Sequence, residues 1–233
     1  MRIDGSNISS RLNNTALSTP NQPANVSTVG QQMTQALFGR PPPTVLNPAL
    51  FPDLAVFLKG LNRFRRKCAA LAEDEDEDYV MVLADSATAA IDKDGVIYLG
   101  ASFLAENASR PEVVIGAIAH EIGHQPRKWA GIDGAGQETL SAAKLDEMCQ
   151  VEETKADLFA GEAMAELGLS CEPLIDYLTE HEDGPHRRYL PAADRAEIIR
   201  QAYRGRAKTM KSRRQLYPDY ERHRAARGYI RKV

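Results

Sequence analysis

Cysteine is scarce in this chain of 233 residues; only Cys68, Cys149 and Cys171 occur. An odd, widely spaced set forms neither a disulfide framework nor a zinc-knuckle pattern, so free and buried thiols are expected. Long apolar runs are missing as well. Nothing approaches the roughly 18 consecutive apolar residues of a membrane-spanning helix, and the first residues lack the apolar core of a cleaved secretory signal. Nor does one sign of charge dominate: 29 Lys and Arg stand against 32 Asp and Glu. That balance gives no global field to steer the whole molecule toward nucleic acid. The apolar fraction of 43% is that of an ordinary folded protein, and the length suffices for one substantial core.

Composition divides the chain into three stretches. Residues 1–45 are rich in Ser, Asn, Thr, Gln and Pro and nearly free of charge, so they read as a disordered or weakly ordered leader. Within them STVGQQMTQALF has the makings of a short docked helix, and Pro41–Pro43 of a stiff extended spacer. Residues 46–205 form the folded domain. Residues 206–233 form a basic tail; from Arg200 onward there are twelve Lys and Arg against Asp219 and Glu221. The tail carries no recognisable nucleic-acid module, so direct nucleic-acid binding is not expected.

Inside the middle stretch, residues 50–72 repeat apolar side chains at the helical period, with Lys59, Arg63, Arg66 and Lys67 opposite. The acidic run at 73–78 reads as a solvated turn. YVMVLA, ATAAID and VIYLG are short strand candidates joined by tight turns, which suggests a small, partly antiparallel sheet. A helix opens near Pro111 with Ser109 as its N-cap. A longer one covers 141–167 and stops at Gly168. PAADRAEIIRQAY (191–203) gives another.

The helix opening at Pro111 carries AIAHEIGH. His120 and His124 are four apart, so both rings lie on one helix face. Imidazole is a good ligand for Zn²⁺. Glu121 is displaced around the helix, poorly placed to ligate and well placed to take a proton from a metal-held water. Ile118, Ala119 and Ile122 make the surroundings apolar, where polar groups without partners are costly. A third ligand is needed, and the 141–167 helix offers Glu153. Asp157, one turn on, can accept a hydrogen bond from the outer nitrogen of a ligand histidine. Glu152 is the rival ligand, turned about 100° away.

In these segments the chain resembles the gluzincin metallopeptidases of the M48 type over roughly residues 79–200. DSATAAIDKDGVIYLGASFL, AIAHEIGH and ETKADLFAGEAM carry the resemblance. It implies an α+β, mostly helical zincin-like metallopeptidase domain with an HExxH active-site helix. It further implies zinc as cofactor, His120, His124 and Glu153 as ligands, Glu121 as general base, and Asp157 as the partner behind a ligand. An edge strand around Ala87–Ala90 or Val96–Leu99 would pair with extended protein or peptide substrate. In DGPHRRYLPAADRAEII, His186 matches the family's later catalytic histidine and Arg195 its arginine, although Arg187 stands where the family has proline; His181 competes with His186. The family's membrane-spanning segments have no counterpart.

The expected activity is therefore a zinc-dependent endopeptidase. The alternative is an inactive, zinc-stabilised protein-binding module. The glycine-containing segment 125–140 is expected to form a mobile loop beside the cleft, with Trp129 lining a pocket or anchoring the loop in the core. A cytoplasmic location in the producing cell is the default; the uncharged leader also resembles those of effectors exported uncleaved into a host cell.

Overall fold

The computed structural model describes residues 28–130, 140–181 and 187–216. Helix α1 (Thr28–Phe38) is followed by an extended segment, and α2 (Pro52–Leu71) begins on Pro52, whose missing N–H costs nothing in a first turn. Three strands follow: β1 (Val80–Ala84), β2 (Ala89–Ile91) and β3 (Val96–Gly100). They form a mixed sheet in the order β1-β3-β2, parallel between β1 and β3 and antiparallel between β2 and β3. The chain then runs through α3 (Ala101–Glu106), α4 (Pro111–Gly123), α5 (Pro126–Ala130), α6 (Ala142–Leu167), α7 (Glu172–Glu180) and α8 (Ala192–Leu216). The described residues are mostly helical with a small sheet, an α+β architecture.

The core lies where α4 and α6 meet. Val113, Val114, Ile118, Ala119 and Ile122 of α4 are almost completely buried, and so are Ala156, Ala160 and Met164 of α6. Both helices are buried on more than one face, since α8 packs on α6 and the sheet and α2 pack beside α4. Ser141 caps α6 through its hydroxyl, and Gly168 ends it in the left-handed conformation that glycine adopts without steric cost. The three cysteines are free and buried. Among the described residues no helix is long and apolar enough to cross a membrane.

Several local features differ from the sequence reading. The packed body reaches back to Val29, ahead of residue 46, through the docked helix expected in STVGQQMTQALF, whose Met33 and Phe38 are buried. Thr44–Leu46 then lie along the outer side of β1, where Asp85 N–H donates to Thr44 O and Leu46 N–H to Leu83 O, both at 2.8 Å. At the other end α8 runs unbroken through residue 205. The N-cap of α4 is Arg110 rather than Ser109, without a side-chain bond, because Pro111 supplies the first helical position.

The acidic run is not simply solvated. Asp76 pairs with buried Arg65 at 2.7 Å, and Asp74 accepts from the Tyr79 hydroxyl at 2.6 Å. Alternate acids of the run face inward because Arg65, Tyr79, Gln125 and Arg127 present donors there. Trp129 is buried in the core cluster and does not line the cleft described below. The rest of the expected loop, residues 131–139, lies outside the described residues, as does His186.

Candidate metal centre

The α4 helix ends at the second histidine of its motif. His124 is the C-cap, and Gln125 follows with φ 43°. A left-handed backbone costs a non-glycine residue about 1–2 kcal/mol. Two bonds from the Gln125 side chain offset this, to Ala72 O at 2.7 Å and to Asp74 Oδ2 at 3.0 Å. The acidic turn thereby fixes the end of the helix that bears both imidazoles. Gly123 lets α6 come close: a Cβ there would stand 2.9 Å from the Ala156 Cα. That approach brings Glu153 and Asp157 of α6 up to the two rings.

His120, His124 and Glu153 each offer one ligand atom, and these atoms lie within 4.8 Å of one another. Glu153 Oε2 is 3.2 Å from His120 Nε2 and 3.7 Å from His124 Nε2. Tetrahedral zinc with ligands at about 2.0–2.1 Å would hold such atoms about 3.3 Å apart, so the spacing suits one ion. The donor chemistry points the same way. His120 Nδ1 lies 3.0 Å from Asp157 Oδ1. Asp157, an acceptor, takes the ring proton there, which leaves a lone pair on Nε2. That lone pair faces a carboxylate oxygen that is buried and has no hydrogen-bond partner among the described residues. Converging lone pairs in a buried place repel unless a cation or a proton sits among them.

The electrostatics follow from burial and partners. Burial alone would push His120 down; the Asp157 bond and the Glu153 carboxylate beside Nε2 outweigh that and raise it to about 10, so that a proton takes the place among these atoms when no cation does. His124 has no such bond, and burial drops it to about 4, keeping the ring neutral as a ligand must be. Burial opposes ionisation of Asp157, but bonds from Arg195 and His120 hold it at about 2. Arg195 grips Asp157 with two bonds, Nε to Oδ2 at 2.8 Å and Nη2 to Oδ1 at 2.9 Å. Glu121 lies outside the three-ligand group. Burial raises it to about 7, with Glu153 adding to the rise while His120 and the Ile91 amide pull down.

These groups open onto a cleft of about 150 Å³. One wall is β2, the outer strand of the sheet. Gly100 N–H donates to Thr88 O, and Asp92 N–H to Val96 O. The alternation of an antiparallel pair therefore turns the backbone groups of Ala89 and Ile91 toward the cleft. Val96–Leu99 is excluded as a pairing edge, because β3 is the central strand with a partner on each side. The cleft is also walled by Ala36–Phe38 and Arg40–Pro43, with Arg188 and Tyr189. Phe38 meets the His124 ring edge-on at 6.0 Å.

Glu152 is buried but stands outside the three-ligand group and pairs with Lys155. His181 is away from the cleft, bonded to Tyr177 O and Glu106, each at 2.9 Å. Sequence reasoning missed Tyr189 and Arg40. Tyr189 lines the cleft, and the Arg195 guanidinium lies 5.4 Å from its ring centre. Its place shortly before Arg195 was the available signal. Arg40 carried none, since its leader context suggested no contact with the site.

The chain matches no family model, no curated protein and no solved structure significantly.

Proposed function

We propose that this chain is a zinc-dependent endopeptidase with a zincin-like domain of the M48 gluzincin type. One observation carries the reading. Two imidazoles and a carboxylate converge as lone-pair donors, and a separate, half-buried carboxylate, Glu121, opens onto the same cleft. Two nitrogens and one oxygen of this kind suit zinc, and three protein ligands are the number of a catalytic site. A closed structural site takes four; the group found among the described residues has three, which argues against a purely structural, binding-module role.

A zinc ion held there supplies Lewis acidity toward water and the scissile carbonyl. Glu121, raised to about 7, takes the proton as the water oxygen bonds to the carbonyl carbon, then delivers it to the amide nitrogen as the C–N bond breaks. The backbone groups of Ala89 and the carbonyl of Ile91, whose amide Glu121 holds, pair with the backbone of an extended substrate, which gives binding with little side-chain preference. The Tyr189 hydroxyl lies on the cleft and donates to the developing oxyanion. His186, three residues earlier, is the other candidate for that role. Asp157 and Arg195 hold His120 in its ligating tautomer.

The test is metal content together with cleavage of casein or a peptide library by the parent and by Glu121→Gln. Both proteins should bind one zinc, and only the parent should cleave, by a factor on the order of 10² or more. Equal cleavage would remove Glu121 as the base. Folded protein that takes up no zinc would remove the peptidase reading.

A further inference from the structure

The charged groups that line the cleft are engaged, with one exception. Arg188 donates to Asp146 at 3.1 Å and to Ala36 O at 2.7 Å. Asp92 accepts from the amides of Asp94 and Val96 and from the Tyr98 hydroxyl, each at 2.9 Å. His120, His124 and Glu153 form the metal group, and Glu121 receives the Ile91 amide. Arg40 lines the cleft, is exposed, and has no hydrogen bond or salt bridge among the described residues. It shares the cleft with Tyr189, Glu121 and Glu153, and its positive charge opposes the upward push that burial gives the Tyr189 hydroxyl.

The wall that bears Arg40 is of an unusual kind. Pro41, Pro42 and Pro43 line the same cleft. Proline has no amide hydrogen and a fixed φ, so these three residues cannot donate to a substrate backbone. The segment is also pinned at both ends. Met33 and Phe38 are buried before it, and Thr44 and Leu46 bond along β1 after it. Substrate backbone is thus gripped from the β2 side, and recognition from the proline side falls to side chains. Arg40 is the charged side chain there with no hydrogen bond or salt bridge among the described residues, Arg188 being held by Asp146 and Ala36 O.

We propose that Arg40 is a carboxylate-recognition site, so that the preferred substrates place a carboxylate within reach of the metal centre. This rests on the peptidase reading. A guanidinium binds a carboxylate through two parallel N–H···O bonds, a geometry that lysine does not reproduce. The carboxylate comes from a Glu or Asp side chain beside the scissile bond or from the free C-terminus of a peptide.

Binding rather than turnover tests it. Zinc-loaded Glu121→Gln protein is titrated by calorimetry with peptides of one length, scanning Glu against Gln through successive positions with amidated C-termini. A second set has Gln throughout and a free C-terminus. At least one carboxylate-bearing peptide should bind on the order of tenfold or more tighter than its neutral, amidated counterpart. The peptide set in which this occurs identifies the source. Arg40→Ala added to the Glu121→Gln background should abolish the difference, Arg40→Lys should keep only part of it, and Arg40→Glu should turn the preference toward Lys-bearing peptides. Unchanged thermal unfolding and zinc content check that the variants fold. A preference that survives Arg40→Ala, or no preference in the protein retaining Arg40, overturns the proposal. Failure of the parent enzyme to hydrolyse any peptide would instead strike the peptidase reading, which the binding comparison does not measure.

Discussion

At the scale of single residues, Asp157 does the most with the least exposure. It is 1% exposed, bonds His120 Nδ1 at 3.0 Å, and is itself clamped by Arg195. Asp157→Asn removes the charge that makes His120 a strong, oriented ligand. Zinc affinity should fall about 10–100-fold, as competition with a chromogenic chelator would show; unchanged affinity would mean that the carboxylate only packs the core. Tyr189 and His186 compete for the oxyanion. Tyr189→Phe should lower kcat about 10²-fold or more with little change in KM, while His186→Ala should leave kcat nearly intact. The reverse pattern in steady-state kinetics would hand the role to His186. The HExxH pair was legible because spacing on one helix fixes which side chains share a face. Glu153 needed a guess about which of two neighbouring glutamates faces inward. Arg40 and Tyr189 were not legible as cleft residues, since each meets the histidine pair only through the fold, Arg40 from about eighty residues before His120 and Tyr189 from about seventy after it.

At the scale of elements, the decisive contact is α4 against α6 at Gly123. A methyl group there meets the Ala156 Cα at 2.9 Å, and backbone cannot give way as a side-chain tip can. Gly123→Ala should lower stability by about 1–3 kcal/mol and weaken zinc binding together, because the same displacement moves Glu153 away from the rings. Urea denaturation and a zinc titration on one preparation would check both effects. A stability loss without loss of affinity would mean that α6 can shift while keeping its ligand in place. The sheet shows where pattern reasoning stops. Strand positions followed from alternation and turn residues, but the order β1-β3-β2 did not, because neighbouring runs of similar composition leave pairing partners open. That order is what leaves β2, rather than β3, at the mouth of the cleft.

For the whole molecule, the boundary of the folded body bears on the question of export. Residues 28–46 contribute Met33 and Phe38 to the core and border β1. Burying such large apolar side chains stabilises by about 1.5–3 kcal/mol each. Removing residues 1–27 leaves every contact described here intact and should preserve zinc binding and thermal unfolding. Removing 1–45 should lower the unfolding temperature sharply and abolish zinc binding, because Phe38 also abuts His124. Scanning calorimetry of the two truncations would decide it; a stable, zinc-binding 46–233 fragment would show the strap to be dispensable. Any test of an export signal is cleaner with the shorter deletion, which keeps every contact described here.

Sequence alone determined what acts through neighbours on one helix: the histidine pair, the glutamate set aside from it, the stop at Gly168, and the lack of any long apolar run. These depend on periods of a few residues, which local backbone geometry dictates. Tertiary structure alone decided that Glu153 rather than Glu152 stands with the rings, which strand lies open, and that a proline-rich stretch of apparent leader lines the cleft with a cation that has no partner among the described residues. Those outcomes depend on how separate apolar surfaces pack, and packing is a property of the whole chain that no single window contains.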